Sequence, residues 1–153
     1  MNTEDLFLLR KQQLIGKFWC NFSVLESTLR AHIGTMLHEK LTGLNAAKGE
    51  TIPCNAMTNY DSFPKLCNKY SELFNSSINF SNIEKTRDAF AHGRLFFDSE
   101  SSEYVLIKYS APKNNNVEVV FREVIDLHKL ELLNNEINDK ILEVIQEVED
   151  ASN

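Results

Sequence analysis

Apolar positions along the first quarter of the chain recur at helical spacing. Leu14, Phe18, Phe22, Leu25, Leu29, Ile33 and Met36 follow one another at intervals of three or four. That spacing puts them on one stripe and predicts a single helix over residues 3–41, about 50 Å long. A helix so long and so striped belongs in a bundle or packs across a dimer. Gly16 and Gly34 weaken it or let a neighbour approach closely. Residues 42–61 carry no sustained period and hold two Gly and one Pro, so they read as a long loop. Phe63, Leu66, Tyr70, Leu73 and Phe74 predict a second helix, with Asp61 or Ser62 as its cap and Pro64 in its first turn. The "SNIE" at 81–84 fits a capping box, Ser81 accepting from an amide while Glu84 reaches back. Gly93 suits the left-handed position that ends many helices. A short third helix over about 82–92 follows, with His92 in its last turn.

After Gly93 the period changes from helical to alternating. "RLFFD", "YVLIKYS" and "VEVVFR" are rich in aromatic and β-branched residues, and "APKNNN" between the last two is a turn. A small antiparallel hairpin or meander is expected over about 94–122. Asp126 then caps a last helix bearing Leu130, Leu133, Ile137, Ile141, Val144, Ile145 and Val148. The order is three helices, a β-insertion and a long fourth helix, a mainly α fold.

With 153 residues the chain is expected to form one domain, long enough to bury a core. Hydrophobic residues at 42% and charged residues at 25% fit a soluble globular protein rather than a disordered one. A net charge of −6 argues against broad, non-specific coating of nucleic acid, which runs on clustered Lys and Arg. Lys85, Arg87 and Arg94 nevertheless stand close together, and a dimer would double them. The acidic, amphipathic start "MNTEDLFLLRKQQ" has no long apolar core, so no secretory signal is expected, and no apolar run is long enough to predict a membrane span. Three widely spaced cysteines, Cys20, Cys54 and Cys67, suit reduced thiols better than a disulfide framework. A cytoplasmic protein is expected.

Several chemistries lack their residues. "HEKLT" at 38–42 has no second His of a zinc-protease helix, and no two cysteines stand at metal-ligand spacing, so no metal is expected. No Gly-rich loop precedes a Lys-Ser or Lys-Thr pair, no Ser is framed by glycines, and no cofactor is implied. Cys67 suits a small packed residue. Phe18 and Trp19 suit the core or an interface, and His32 and His38 a solvated helix face.

The stretch "EKTRDAFAHGRLF", residues 84–96, is left. Arg87 and His92 lie about 140° apart around a helix. Asp88 and His92 form an (i, i+4) pair in which the carboxylate can orient the imidazole and favour its protonated form. A His charged near neutrality serves general acid–base chemistry, and an adjacent Arg can grip a phosphate. The same residues also make an ordinary helix end, a cation in the last turn beside an Asp and before a Gly.

"RDAFAH", Arg87 to His92, resembles the R-x4-6-H signature of HEPN domains, four-helix bundles found in many prokaryotic ribonuclease toxins and anti-phage proteins. A polar residue commonly follows the Arg in that family, and Asp88 fits. Arg122 and His128 give a second match in spacing, but they straddle a strand end and the Asp126 cap. The resemblance implies a single HEPN-like bundle over 1–153, with the β-insertion before its last helix. It further implies a homodimer whose signature helices meet, so that one copy's Arg works with the other's His. Metal-independent RNA cleavage by 2′-hydroxyl attack is the implied reaction, with Arg87, Asp88 and His92 catalytic. Arg94 and Lys85 are the candidate substrate contacts. Many family members are toxins paired with a nucleotidyltransferase-like antitoxin. The alternative is a catalytically silent HEPN-like domain that binds nucleotide or protein and dimerises.

Overall fold

The structure is a computed structural model, described here over residues 3–40 and 45–151. It is mainly helical: α1 (Thr3–Met36), α2 (Phe63–Phe74), α3 (Ser81–His92) and α4 (Leu127–Ala151), with β1 (Arg94–Asp98), β2 (Glu103–Tyr109) and β3 (Val119–Ile125) between α3 and α4. The described residues group into two compact units. One comprises Met1–Trp19 with Ser81–Glu136, the other Cys20–Phe80 with Ile137–Asn153. Helices α1 and α4 therefore each contribute one part to each unit.

In the first unit the three strands form an antiparallel meander in the order β1-β2-β3, which settles the choice between hairpin and meander. Arg94 pairs with Ile107 and Phe96 with Val105 on one side of β2. Val124 pairs with Val105 and Arg122 with Ile107 on the other. The β2–β3 reversal falls inside the expected turn. Lys113 and Asn116 bridge around Asn114 and Asn115, whose φ values of 51° and 62° are the positive pair of a type I′ turn. Strand β3 starts and ends later than "VEVVFR" implies. Ser110 and Glu118 still belong to the loop, where Ser110 N donates to Glu118 O. At the far end the alternation runs on to Ile125, which is fully buried. Leu14, Ala89, Leu106, Ile125 and Leu130 make the core of this unit, with Phe90 against Phe18 at 5.1 Å between ring centroids.

Two buried polar groups hold this core in register. Lys11 Nζ donates to Glu103 Oε2 at 2.6 Å and to Ser102 O at 2.8 Å. Asn134 Nδ2 donates to Leu14 O and Leu130 O at 3.0 and 2.9 Å. Asp126 caps α4 as expected, accepting from Lys129 N at 2.7 Å.

The second unit buries the rest of the α1 stripe, Phe22, Leu25, Leu29 and Ile33, with Phe63, Leu66, Tyr70, Phe80, Ile137 and Val144. Six of the seven stripe positions are thus buried, while Met36 is exposed. The reason is that α1 stops at Met36 and does not run through residues 37–40 (residue 41 lies outside the described residues). His38 adopts φ 54°, and the two crossed bonds Glu39 N to Gly34 O and His38 N to Thr35 O close the end in the manner of a Schellman motif. Helix α2 begins after Ser62, which makes no side-chain capping bond, and carries Pro64 in its first turn. Asp61 pairs with Lys65, and that contact holds its carboxyl below the usual range. Tyr70 is buried, its hydroxyl donating to Glu147 Oε2 at 3.1 Å. Burial and that carboxylate push the phenol well above its usual range.

The expected loop has neither helix nor strand between residue 45 and α2 (42–44 lie outside the described residues). It is tied to α1 by Arg30, a nearly buried side chain. Arg30 Nη1 donates to Ala56 O at 3.0 Å and to Asn59 Oδ1 at 2.8 Å, and Nη2 to Asp61 O at 2.8 Å. Glu26 Oε1 neutralises the guanidinium, 2.8 Å from Nη2. A fork with several fixed donors suits a set of carbonyls that a loop would otherwise leave without partners. Cys67 is buried on α2, while Cys20 and Cys54 are exposed. Among the described residues no helix is long and apolar enough to cross a membrane.

Candidate functional site

Helix α3 sorts its side chains by face. Ile83, Thr86 and Ala89 are buried, so Lys85, Asp88 and His92, at spacings of three and four, share the opposite side of the helix. His92 is 63% exposed, and its Nε2 lies 3.8 Å from Asp88 Oδ1. The expected (i, i+4) pair is therefore present as a loose contact. Asp88 Oδ2 accepts from Lys108 Nζ of β2, so the carboxylate bridges the imidazole and a strand lysine. Sequence reading missed Lys108. A signal existed: in "YVLIKYS" the alternation that turns Tyr104 and Leu106 toward the core turns Lys108 the same way, and a cation there needs a counter-charge.

Gly93 does not take the left-handed conformation expected of it. Among the described residues the only glycine with positive φ is Gly49. Gly93 is required for room instead. A Cβ there would lie 2.3 Å from Ala89 O and 2.8 Å from Ile107 O, both backbone atoms. The chain passes from α3 straight into β1, with Gly93 N donating to Ala89 O at 2.7 Å, and the helix end sits directly against β2.

That join carries His92 and Arg94 to one place. Both line an open concavity of about 540 Å³ with Tyr109, Ser110, Pro112 and Val117. Arg94 pairs with Ile107 in register, so Tyr109, two residues further along β2, is its diagonal neighbour. The guanidinium carbon lies 5.9 Å from the Tyr109 ring centroid, within cation–π range. Sequence reading also missed Tyr109, which only strand register brings beside Arg94. Arg87 is half-buried and Lys85 exposed on α3. Neither they nor Asp88 line the concavity. Arg122 lies on β3 and His128 borders another cavity, of about 680 Å³, so that second spacing match does not form a pair lining either cavity. Among the described residues no group of three or more His, Cys, Asp or Glu side chains is placed to hold a metal ion.

Compared with protein-family models, with curated proteins and with solved structures, the chain matches none.

Proposed function

We propose that the protein is a metal-independent endoribonuclease of HEPN type, cytoplasmic and homodimeric, serving as a toxin or in anti-phage defence. In this reading the four helices form the HEPN-like bundle and the meander is an insertion before its last helix. The observation that carries it is the setting of His92. It is exposed, has a carboxylate 3.8 Å from Nε2, and opens on a concavity that it shares with the cation of Arg94.

In the proposed reaction a ribose 2′-hydroxyl attacks the adjacent phosphorus, the 5′-oxygen leaves, and a 2′,3′-cyclic phosphate forms. The proton lost by the 2′-oxygen is matched by one gained at the 5′-oxygen, and His92 serves as base or acid. Arg87 stabilises the charge on the phosphorane, Asp88 holds the imidazole, and Arg94 and Lys85 contact the flanking backbone. A second copy places its Arg87 beside the first copy's His92, which removes the difficulty of their 140° separation. A nucleotidyltransferase-like antitoxin is the partner such a toxin would have.

The second reading is a silent HEPN-like domain that binds nucleotide or protein. The Lys108–Asp88 pair favours it, because a carboxylate tied to a strand lysine already has a structural task. Purified protein incubated with RNA in chelator separates the two. The enzyme yields fragments ending in cyclic phosphate, and His92→Ala lowers the rate about 100-fold or more without change in circular dichroism. Undiminished cleavage by a folded Arg87→Ala, His92→Ala double variant would end the catalytic assignment.

A further inference from the structure

The meander has two faces, and its register separates them. Tyr104, Leu106, Lys108 and Ile125 turn toward the unit's core or toward α3. The other face alternates with them. At one end of it Asp98 pairs with Glu103; the next row is Phe96, Val105 and Val124, side by side on the three strands, and the row after that is Arg94, Ile107 and Arg122. Phe96 and Val124 are 44% and 47% exposed, while Val105 between them is 8% exposed. Tyr109 continues the face past Ile107, beneath the Arg94 guanidinium. The Asp98 carboxylate accepts from Ser101 Oγ at 2.7 Å and Glu100 N at 3.1 Å, and these bonds together with the nearby charge of Arg122 hold it below the usual carboxylate range.

This combination is unusual for a solvent-facing sheet in a chain of net charge −6. Phe96 is exposed and Tyr109 half-buried beneath the Arg94 guanidinium, and the row between them carries the two guanidiniums of Arg94 and Arg122. A purely apolar face would suit a protein partner. A face that alternates rings with cations suits a ligand with the same alternation, and a single nucleic-acid strand has it: a π-face per base and a negative charge per phosphate. We infer that the outer face of the meander is a landing platform for single-stranded RNA, with Phe96 and Tyr109 stacking bases and Arg94 and Arg122 holding phosphates. The platform deepens the ribonuclease reading and rests on it for the identity of the nucleic acid. Arg94 and Tyr109 belong both to the platform and to the concavity beside His92, so a strand lying on the sheet runs into the cleavage site.

The test uses a fluorescein-labelled oligothymidine, which has no 2′-hydroxyl and so reports binding to the intact protein without cleavage. Fluorescence anisotropy should show Phe96→Ala weakening binding by about fivefold or more. Arg122→Gln should reduce the slope of log affinity against log salt by about 0.7, the loss of one phosphate contact. Both side chains are exposed, and circular dichroism checks that the variants fold. Unchanged affinity and salt slope in folded variants overturn the platform. So does a shift from dimer to monomer on sizing without loss of oligothymidine affinity, which would make this face a contact between copies. If wild-type protein cuts no RNA but both variants still lose oligothymidine binding, the platform stands and the ribonuclease reading falls. If wild-type protein cuts RNA and both variants bind and cut as it does, the reverse holds.

Discussion

Replacing Gly93 by alanine forces a methyl group into a space 2.3 Å from Ala89 O and 2.8 Å from Ile107 O. Ordinary contact for such a carbon begins near 3.4 Å, so residue 93 must shift by about an ångström from the last-turn carbonyl of α3 and by about half as much from β2. Neither partner can swing aside as a side chain would, because both are backbone atoms. Overpacking of this kind costs about 1–3 kcal/mol, and with rigid partners on two sides about 3 kcal/mol is expected. That is a large share of the 5–15 kcal/mol that typically holds a domain together, and it lowers Tm by roughly 6–12 °C. Urea and thermal unfolding followed by circular dichroism measure it. Gly93→Asn makes the test discriminating. A glycine chosen for a left-handed backbone is replaced by asparagine at little cost, since Asn tolerates that conformation. A glycine chosen for room is not, and Asn must then cost at least as much as Ala. An Asn variant close to wild type, or an Ala variant destabilised by less than about 1 kcal/mol, would refute the close-approach account.

Two further predictions concern the second unit. Arg30→Met removes the donors to Ala56 O, Asn59 and Asp61 O and leaves Glu26 without its cation, which should cost about 3 kcal/mol in urea unfolding, with Arg30→Lys recovering only part. A loss below about 1 kcal/mol would mean that the loop does not depend on that fork. His32 is half-buried, and desolvation holds its imidazole below the ordinary value of 6.5. The unfolded chain therefore takes this proton first, so the contribution to stability is complete above about pH 6.5 and is lost as pH falls toward the folded value. His32→Gln should flatten the fall of the urea midpoint between about pH 7 and pH 5, and an unaltered slope would refute the assignment.

Much of the secondary structure was legible in the sequence because period alone encodes it. The α1 stripe, the alternation of "YVLIKYS" and the Asp126 cap each follow from a few neighbouring residues. The end of α1 was not legible, because a histidine at 38 supplies the left-handed residue that glycine usually supplies. Gly93 was found for the wrong reason. Its neighbour across the gap, Ile107, is brought there by strand pairing, which local spacing does not reveal. The same limit hid Lys108, Tyr109 and Arg30. Each matters through a partner 15 or more residues away: Lys108 with Asp88, Tyr109 with Arg94, and Arg30 with the loop at 56–61. The Asp88–His92 contact and the shared place of His92 and Arg94 were legible because helix spacing and the step into β1 set them. Arg87 and Lys85 were named with them, but placement on α3 alone does not bring them into that concavity.

Mixing two inactive variants tests the proposed composite site most directly. Folded Arg87→Ala and folded His92→Ala proteins are each assayed for RNA cleavage, then combined, exchanged through mild denaturant and assayed again. If one copy's guanidinium works with the other copy's imidazole, the mixture regains a substantial part of wild-type cleavage while each variant alone stays inactive. A mixture as inactive as its components, with subunit exchange verified by mass spectrometry, would contradict that account.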